Sequence, residues 1–409
     1  MKELSGKYNS AFEREESRMK VCLCSTDNPY TRSIGGKHIH LLLLERGMKE
    51  ILGDYNLLTS YYDFTKRTVL DKVKSRLNRL FKGYSYFFLK DSEYINNSMK
   101  HITKNIETEV LNAHDVVSLV HFTGKARKRV LTLHGYYARE AINYAQFPEN
   151  EKDQIKRNLY SVEEEALKKA DWVISVDSTI KNYIVQEFNY PQEKISVIPN
   201  AIDTDRFVPG EETKVLEMRK ALGIGDHNFL ILVPRRFVKK NGVLVACQSM
   251  KFVQDDRVRM IFIGSGPLEK DLKEESKRDT RIHILGEIPH QRALEYYQSA
   301  DLVLIPSIIS DGVEEATSLS MLEGMSCEKI VLASSIGGLK EVINHMENGI
   351  LVEQGNPEAL ANQIAFCVNE STGEAFKKIR ENARKCIIAK HSYKQHAARF
   401  ITVFKKVMD

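Results

Sequence analysis

Glu315 and Glu323 stand eight residues apart in Asp311-Gly-Val-Glu-Glu-Ala-Thr-Ser-Leu-Ser-Met-Leu-Glu-Gly-Met325, just after the apolar run Leu302-Val-Leu-Ile-Pro306. An ionised carboxylate only accepts hydrogen bonds, so two of them at a strand-to-helix junction suit the hydroxyls of a sugar and of a ribose. They equally suit a helix N-terminus decorated with favourable charge. Cations gather in Arg235-Arg236-Phe-Val-Lys239-Lys240, after the apolar run Phe229–Val233. Arg offers a fork and Lys a point charge to a diphosphate; the plain alternative is a solvated basic loop. His134, in Leu131-Thr-Leu-His-Gly-Tyr136, closes a third apolar run. There it can donate to a sugar hydroxyl or a phosphate, or serve as a polar loop residue, and His121 holds a weaker position of the same kind. Gly35-Gly36-Lys37 precedes a helical pattern and offers backbone N–H groups to an anion, although ordinary turns look the same.

Other chemistries are excluded by what is missing. Ile263-Gly264-Ser-Gly-Pro267 is a tight strand-to-helix turn, but the full Gly-x-Gly-x-x-Gly of a dinucleotide fold is absent, and so is a P-loop. The cysteines (Cys22, Cys24, Cys247, Cys327, Cys367 and Cys386) are scattered, with no Cys-x-x-Cys or His–Cys cluster. No metal site is expected, and unpaired thiols fit a reducing compartment.

These residues need strands to carry them. Lys20–Ser25, Asp115–Val120, Arg129–Leu133, Ala170–Val176 and Lys194–Ile198 are short apolar runs, with helical patterns at Lys37–Glu50, Ser161–Lys169 and Ser178–Glu187 between some of them. The pattern restarts after Pro199-Asn-Ala-Ile-Asp203 with Phe229–Val233, Val258–Ile263, Ile282–Leu285, Leu302–Ile305 and Ile330–Ala333. Strands alternating with helices at this spacing predict mostly parallel sheets covered on both faces. A chain of 409 residues is too long for one core, so two α/β domains hinged near 200–210 are expected. The Gln395–Val407 helix needs a partner surface.

A net charge of +5 does not imply nucleic acid, and no run of about 20 apolar residues spans a bilayer. Met1–Lys20 lacks the apolar core of a signal peptide, so a cytoplasmic protein is expected. Between Thr65 and Lys90, eight basic residues face the single acid Asp71, and Val69, Val73, Leu77, Leu80 and Tyr84 form an apolar stripe. Either 66–90 makes peripheral contact with an anionic membrane at the inner face of the cell, or the stripe packs inward and its cations face water.

Taken together the motifs resemble glycosyltransferase family 4 over nearly the whole chain. Glu315-Ala-Thr-Ser followed by Glu323-Gly-Met-Ser326 is similar to that family's acid–seven–acid motif, Thr132-Leu-His134-Gly135 to its Thr-x-His-Gly, and Ile198-Pro-Asn-Ala-Ile-Asp203 to its interdomain phrase. Ala316 and Ser318 depart from the usual glycines. Lys240 lies four residues past Arg236 and five past Arg235, where the family more often shows five.

The resemblance implies a GT-B fold, two Rossmann-like α/β domains facing each other across a deep cleft. The expected divisions are a polar extension at 1–19, an acceptor domain at 20–200 with a basic insertion around 60–100, a donor domain at 201–390, and a helix at 391–409 returning to the first domain. It implies a retaining enzyme that moves a hexosyl or N-acetylhexosaminyl group from a UDP- or GDP-linked sugar, without a metal cofactor, to a glycan, lipid-linked or small-molecule hydroxyl. His134, Arg236, Lys240 and Glu315 are the implied catalytic residues. Gly35, Gly36, Arg235, Arg236, Lys240, Gly264, Ser318, Leu319 and Glu323 are the implied nucleotide-sugar contacts. The competing classes are a non-catalytic GT-B partner subunit and a nucleotide-sugar epimerase.

Overall fold

The computed structural model describes residues 19–31, 35–62, 84–144, 147 and 149–409, except for the side chains of 84–92 and 143–144. The basic segment at 66–83 and the N-terminal extension therefore lie outside the described residues.

The chain divides into two compact units, Met1–Ile198 with His396–Asp409, and Pro199–Gln395. The first carries β1 (Val21–Ser25), β2 (Leu57–Tyr61), β3 (Glu107–Ala113), β4 (Lys125–Leu133), β5 (Trp172–Ser175) and β6 (Ile195–Val197). They form one sheet in the order β2-β1-β3-β4-β5-β6, with every pair parallel. The second carries β7 (Phe229–Pro234), β8 (Val258–Ile263), β9 (Ile282–Gly286), β10 (Leu302–Ile305), β11 (Ile330–Ser334) and β12 (Ile350–Val352). Their order is β12-β11-β10-β7-β8-β9, again all parallel. Both units are thus Rossmann-like α/β domains, each a parallel sheet flanked by helices.

Parallel strands are covered on both faces, so they read as unbroken apolar runs. Every residue of β1, β7, β10 and β11 is buried. The C-terminal helix, Tyr393–Met408, finds its partner surface in the first unit. Ala397, Phe400, Ile401 and Phe404 join Val21, Leu23, Val110 and Val130 in one core.

One expected strand is corrected. Val116–Val120 is a short helix, and the strand β3 lies just upstream of it. Asp115 takes an extended conformation and its carboxylate accepts from the Ser118 N–H, which starts the helix there.

Strand order fixes where a ligand can sit. In an open parallel sheet, ligands bind beyond the carboxyl ends of the strands at the point where the order reverses. That point falls between β7 and β10 in the second unit, and between β1 and β3 in the first.

Candidate functional site

The loops leaving β7 and β10 hold the residues singled out above. β7 runs into Arg235–Lys240, and β10 into the 306–318 loop and the helix Leu319–Ser326. Arg235 turns inward and is only 7% exposed. Its guanidinium lies 2.8 Å from Glu315 Oε1. It also donates to Ser318 Oγ at 2.7 Å, Asn241 Oδ1 at 2.7 Å and Ser307 Oγ at 3.0 Å. Arg236, next in the chain, is exposed, and Lys240 is partly buried.

Glu315 is itself buried, at 8% exposure. Burial pushes its carboxyl up, but Arg235 and Lys240 outweigh burial and hold it below the usual carboxylate range. The group is therefore ionised at neutral pH. Its second oxygen, Oε2, is buried and meets no hydrogen-bond partner among the described residues. A buried carboxylate oxygen normally has a partner, so a hydroxyl donor supplied from outside fits this position.

Glycines let the walls close around this pair. Gly337 has φ of 47°, and a Cβ there would come within 2.1 Å of the Glu315 carbonyl oxygen. The next residue, Gly338, donates its N–H to that same oxygen at 2.9 Å. Gly264 has φ of 143°, and its Cβ would meet the Arg235 carbonyl at 2.0 Å. Gly264 thus acts on the backbone that carries the arginines. Ser318 sits where the Leu319–Ser326 helix begins, its hydroxyl accepting from Arg235, and no side chain caps the first turn of that helix. The first-turn N–H groups, Leu319 among them, are of the kind that holds an anion.

Glu323 lies inside that helix and is 4% exposed. His290 Nε2 is 3.0 Å from its Oε1. The His290 ring and carbonyl are held in turn by Arg206, at 3.2 and 2.6 Å. Tyr297 is buried near Glu323, and burial together with that carboxylate pushes its phenol far above its ordinary value. Glu323 is thus oriented by His290, which Arg206 holds in turn, as a rigid acceptor should be.

In the first unit, the β1–β3 switch point is built on a partly buried ion cluster. Lys37 lies 2.8 Å from Asp115 and 2.9 Å from Asp27. Asp115 also accepts from the Thr26 N–H and the Ser25 hydroxyl. Burial pushes the Asp115 carboxyl up, yet Lys37 and these hydrogen bonds hold it below its ordinary value. The Gly35 N–H, offered above to an anion, donates instead to His38 Nδ1 at 3.1 Å. Gly36 begins the helix Gly36–Leu52. His134 leaves the end of β4 partly buried, with its Nε2 3.2 Å from His114 Nδ1. Burial and neighbouring histidines hold the His134 ring far below its usual value, so it is neutral at pH 7.

Comparison with known proteins agrees with this layout in both halves. Residues 215–386 match the family described as glycosyl transferases group 1, and residues 35–206 match glycosyltransferase family 4. This is a GT-B-fold chain of the glycosyltransferase superfamily. An uncharacterized glycosyltransferase of Methanocaldococcus jannaschii is 24% identical over 96% of this chain and 99% of its own. Among solved structures, sucrose-phosphate synthase of Thermosynechococcus elongatus gives a TM-score of 0.73 at 18% identity, covering 95% of this chain and 99% of its own. HepE of Anabaena, solved with UDP, gives 0.68 at 17% identity over 95% and 100%.

Within this GT-B chain, the second unit brings Arg235, Arg236, Lys240, Gly264, Glu315, Ser318 and Leu319 to one switch point, with Glu323 on the helix that leaves it. His134, Gly35 and Gly36 belong to the first unit. Sequence reasoning missed His290, Arg206 and Tyr297 behind Glu323, and Asn241 and Ser307 behind Arg235. Asn241 directly follows the Lys pair, so it was the most readable of them.

Proposed function

We propose that this chain is a retaining glycosyltransferase of family 4 type. It moves a hexosyl or N-acetylhexosaminyl group from a UDP- or GDP-linked sugar to the hydroxyl of a glycan, lipid-linked or small-molecule acceptor. The observation that carries the reading is the Arg235–Glu315 pair at the β7–β10 switch point. It leaves Glu315 Oε2 buried and ready for a hydroxyl, with Arg236 and Lys240 in the loop beside it. The relatives solved with UDP and with UDP-glucose support the same class of donor.

On this reading the two arginines divide the work. Arg235 is the positioning residue that fixes Glu315 and Ser318, because its charge is already matched inside the wall. Arg236 and Lys240 meet the diphosphate with the first-turn N–H groups at Ser318 and Leu319, and Glu323 accepts from the ribose. The bond between the anomeric carbon and the diphosphate oxygen breaks as the acceptor oxygen attacks from the same face. The acceptor proton passes to the leaving phosphate, and negative charge grows there, where the cations stabilise the transition state more than the bound donor. Glu315 positions the sugar and does not attack it, unlike the paired carboxylates of retaining glycosidases. His134 is assigned to the first unit's share of substrate binding.

The test is a panel of UDP- and GDP-sugars, read by thermal shift and by nucleotide released in the presence of acceptors. One nucleotide family should raise the melting temperature as mass action requires and release nucleotide when an acceptor hydroxyl is present. Binding without transfer in any acceptor class would leave a non-catalytic subunit. Turnover without an acceptor into an isomeric nucleotide sugar would indicate an epimerase.

A further inference from the structure

We propose that His40, His114 and His134 form a binding site for a transition-metal ion of the Zn2+ or Co2+ type, within the first unit. His40 projects from the helix Gly36–Leu52, and His114 and His134 are the first residues beyond β3 and β4. Those strands are parallel neighbours, with Ala113 registered against Leu131. The fold therefore gathers, beyond the carboxyl ends of β3 and β4, three residues that lie 74 and 20 positions apart.

One ring nitrogen from each of the three lies within 4.8 Å of those of the other two. His114 Nδ1 and His134 Nε2 are already 3.2 Å apart. Two nitrogens bound at about 2.0–2.1 Å to a tetrahedral zinc stand roughly 3.3 Å from each other. One edge of the coordination figure is thus present, and binding would draw the third ring in to complete a face. The rings pack closely: His40 meets His134 edge-on at 4.4 Å between centroids.

The surroundings are buried and aromatic. His40 and His114 are at most 2% exposed. The shell is aromatic: His396 lies edge-on to His40 at 4.9 Å, and Phe400 stacks on His114 at 6.3 Å. Asp115, next in the chain to His114, is taken by Lys37. An all-imidazole set suits zinc, cobalt, nickel or copper and disfavours magnesium and calcium, and three protein ligands leave a fourth position for water. The simpler account of the 3.2 Å contact is a hydrogen bond between two neutral rings, and the experiment separates the two. The donor residues proposed in the second unit are separate from this cluster, but His134 is common to it and to the substrate role proposed above, so the test falls on His40 and His114.

The experiment uses untagged full-length protein stripped with a chelator and then titrated with Co2+. Visible absorption reports the coordination, and equilibrium dialysis with Zn2+ reports the stoichiometry. One ion per chain is expected, with the d–d bands of low-coordinate Co2+ that Zn2+ displaces. His40→Gln and His114→Gln should each weaken binding at least about tenfold, because losing a ligand costs no less than losing a residue that orients one. His227→Gln, at an exposed position of the second unit, should leave it unchanged. Circular dichroism shows which variants are folded, and either ligand variant suffices if the other is not. Absence of the bands and of retained zinc, or equal affinity in the native protein and a folded ligand variant, would overturn the proposal in favour of the hydrogen-bonded pair.

Discussion

Replacing Arg235 with Met separates the two arginines by what each one holds. The native guanidinium and the Glu315 carboxylate are both nearly out of solvent, at 6% and 11% side-chain exposure, and 2.8 Å apart. Arg235→Met leaves that carboxylate buried with no guanidinium beside it and strips a donor from Asn241, Ser307 and Ser318. Breaking a buried pair from one side costs about 3–5 kcal/mol. For a unit of about 200 residues, at roughly 2–4 °C per kcal/mol, the transition of the second unit should fall by about 6–20 °C. Arg236→Met, at an exposed position, should stay within about 0.5 kcal/mol of the native protein. Arg235→Met combined with Glu315→Leu should regain most of the loss, since removing both partners is far milder than removing one. Scanning calorimetry and denaturant unfolding of the four proteins give the comparison. If Arg235→Met melts with the native protein while its nucleotide affinity collapses, Arg235 is an anion ligand and the division of labour is wrong.

Glu315→Gln keeps the shape but not the charge; it should spare nucleotide binding and slow transfer about 100-fold, as a mispositioned sugar does, measured as kcat against KM. Lys240→Ala should lower kcat by about 10²–10³ through lost stabilisation of the leaving diphosphate, read in the same steady-state assay. Glu163 supplies a pH test away from the site. It is buried, accepts from Tyr183 and from the Ala138 N–H, and burial raises it from 4.5 to about 7 against those hydrogen bonds. A raised folded value binds the proton more tightly in the native state, so its contribution is complete below 4.5 and lost as pH rises through about 7. Glu163→Gln should remove that slope, of order 3 kcal/mol, from a stability–pH profile measured by denaturant unfolding.

Much of the fold was legible because parallel strands leave little choice of residue. β1, β7, β10 and β11 are buried on both faces and stand out as runs of four to six residues. β2, at the sheet edge, exposes Leu58 and Thr59 and gives no such run. Val116–Val120 read as a strand because a five-residue apolar run carries no usable period, although Asp115 and Ser118 at cap spacing mark the helix start. The site was legible as residue types and not as directions. Adjacent Arg235 and Arg236 are equivalent on paper, and only the packing of the 306–318 loop sends one inward and leaves the other exposed. His40, His114 and His396 carried no local motif, because strand order and the returning C-terminal helix bring them together.

Isothermal titration of the full chain with UDP, GDP and their hexose conjugates tests the central claim most directly. Saturable binding of one nucleotide per chain is expected, with affinity reduced at least about tenfold in Arg236→Ala/Lys240→Ala because charge-assisted contacts to the diphosphate are lost. No heat with any of these ligands, or affinity unchanged when both cations are removed, would contradict a nucleotide-sugar site at the β7–β10 switch point.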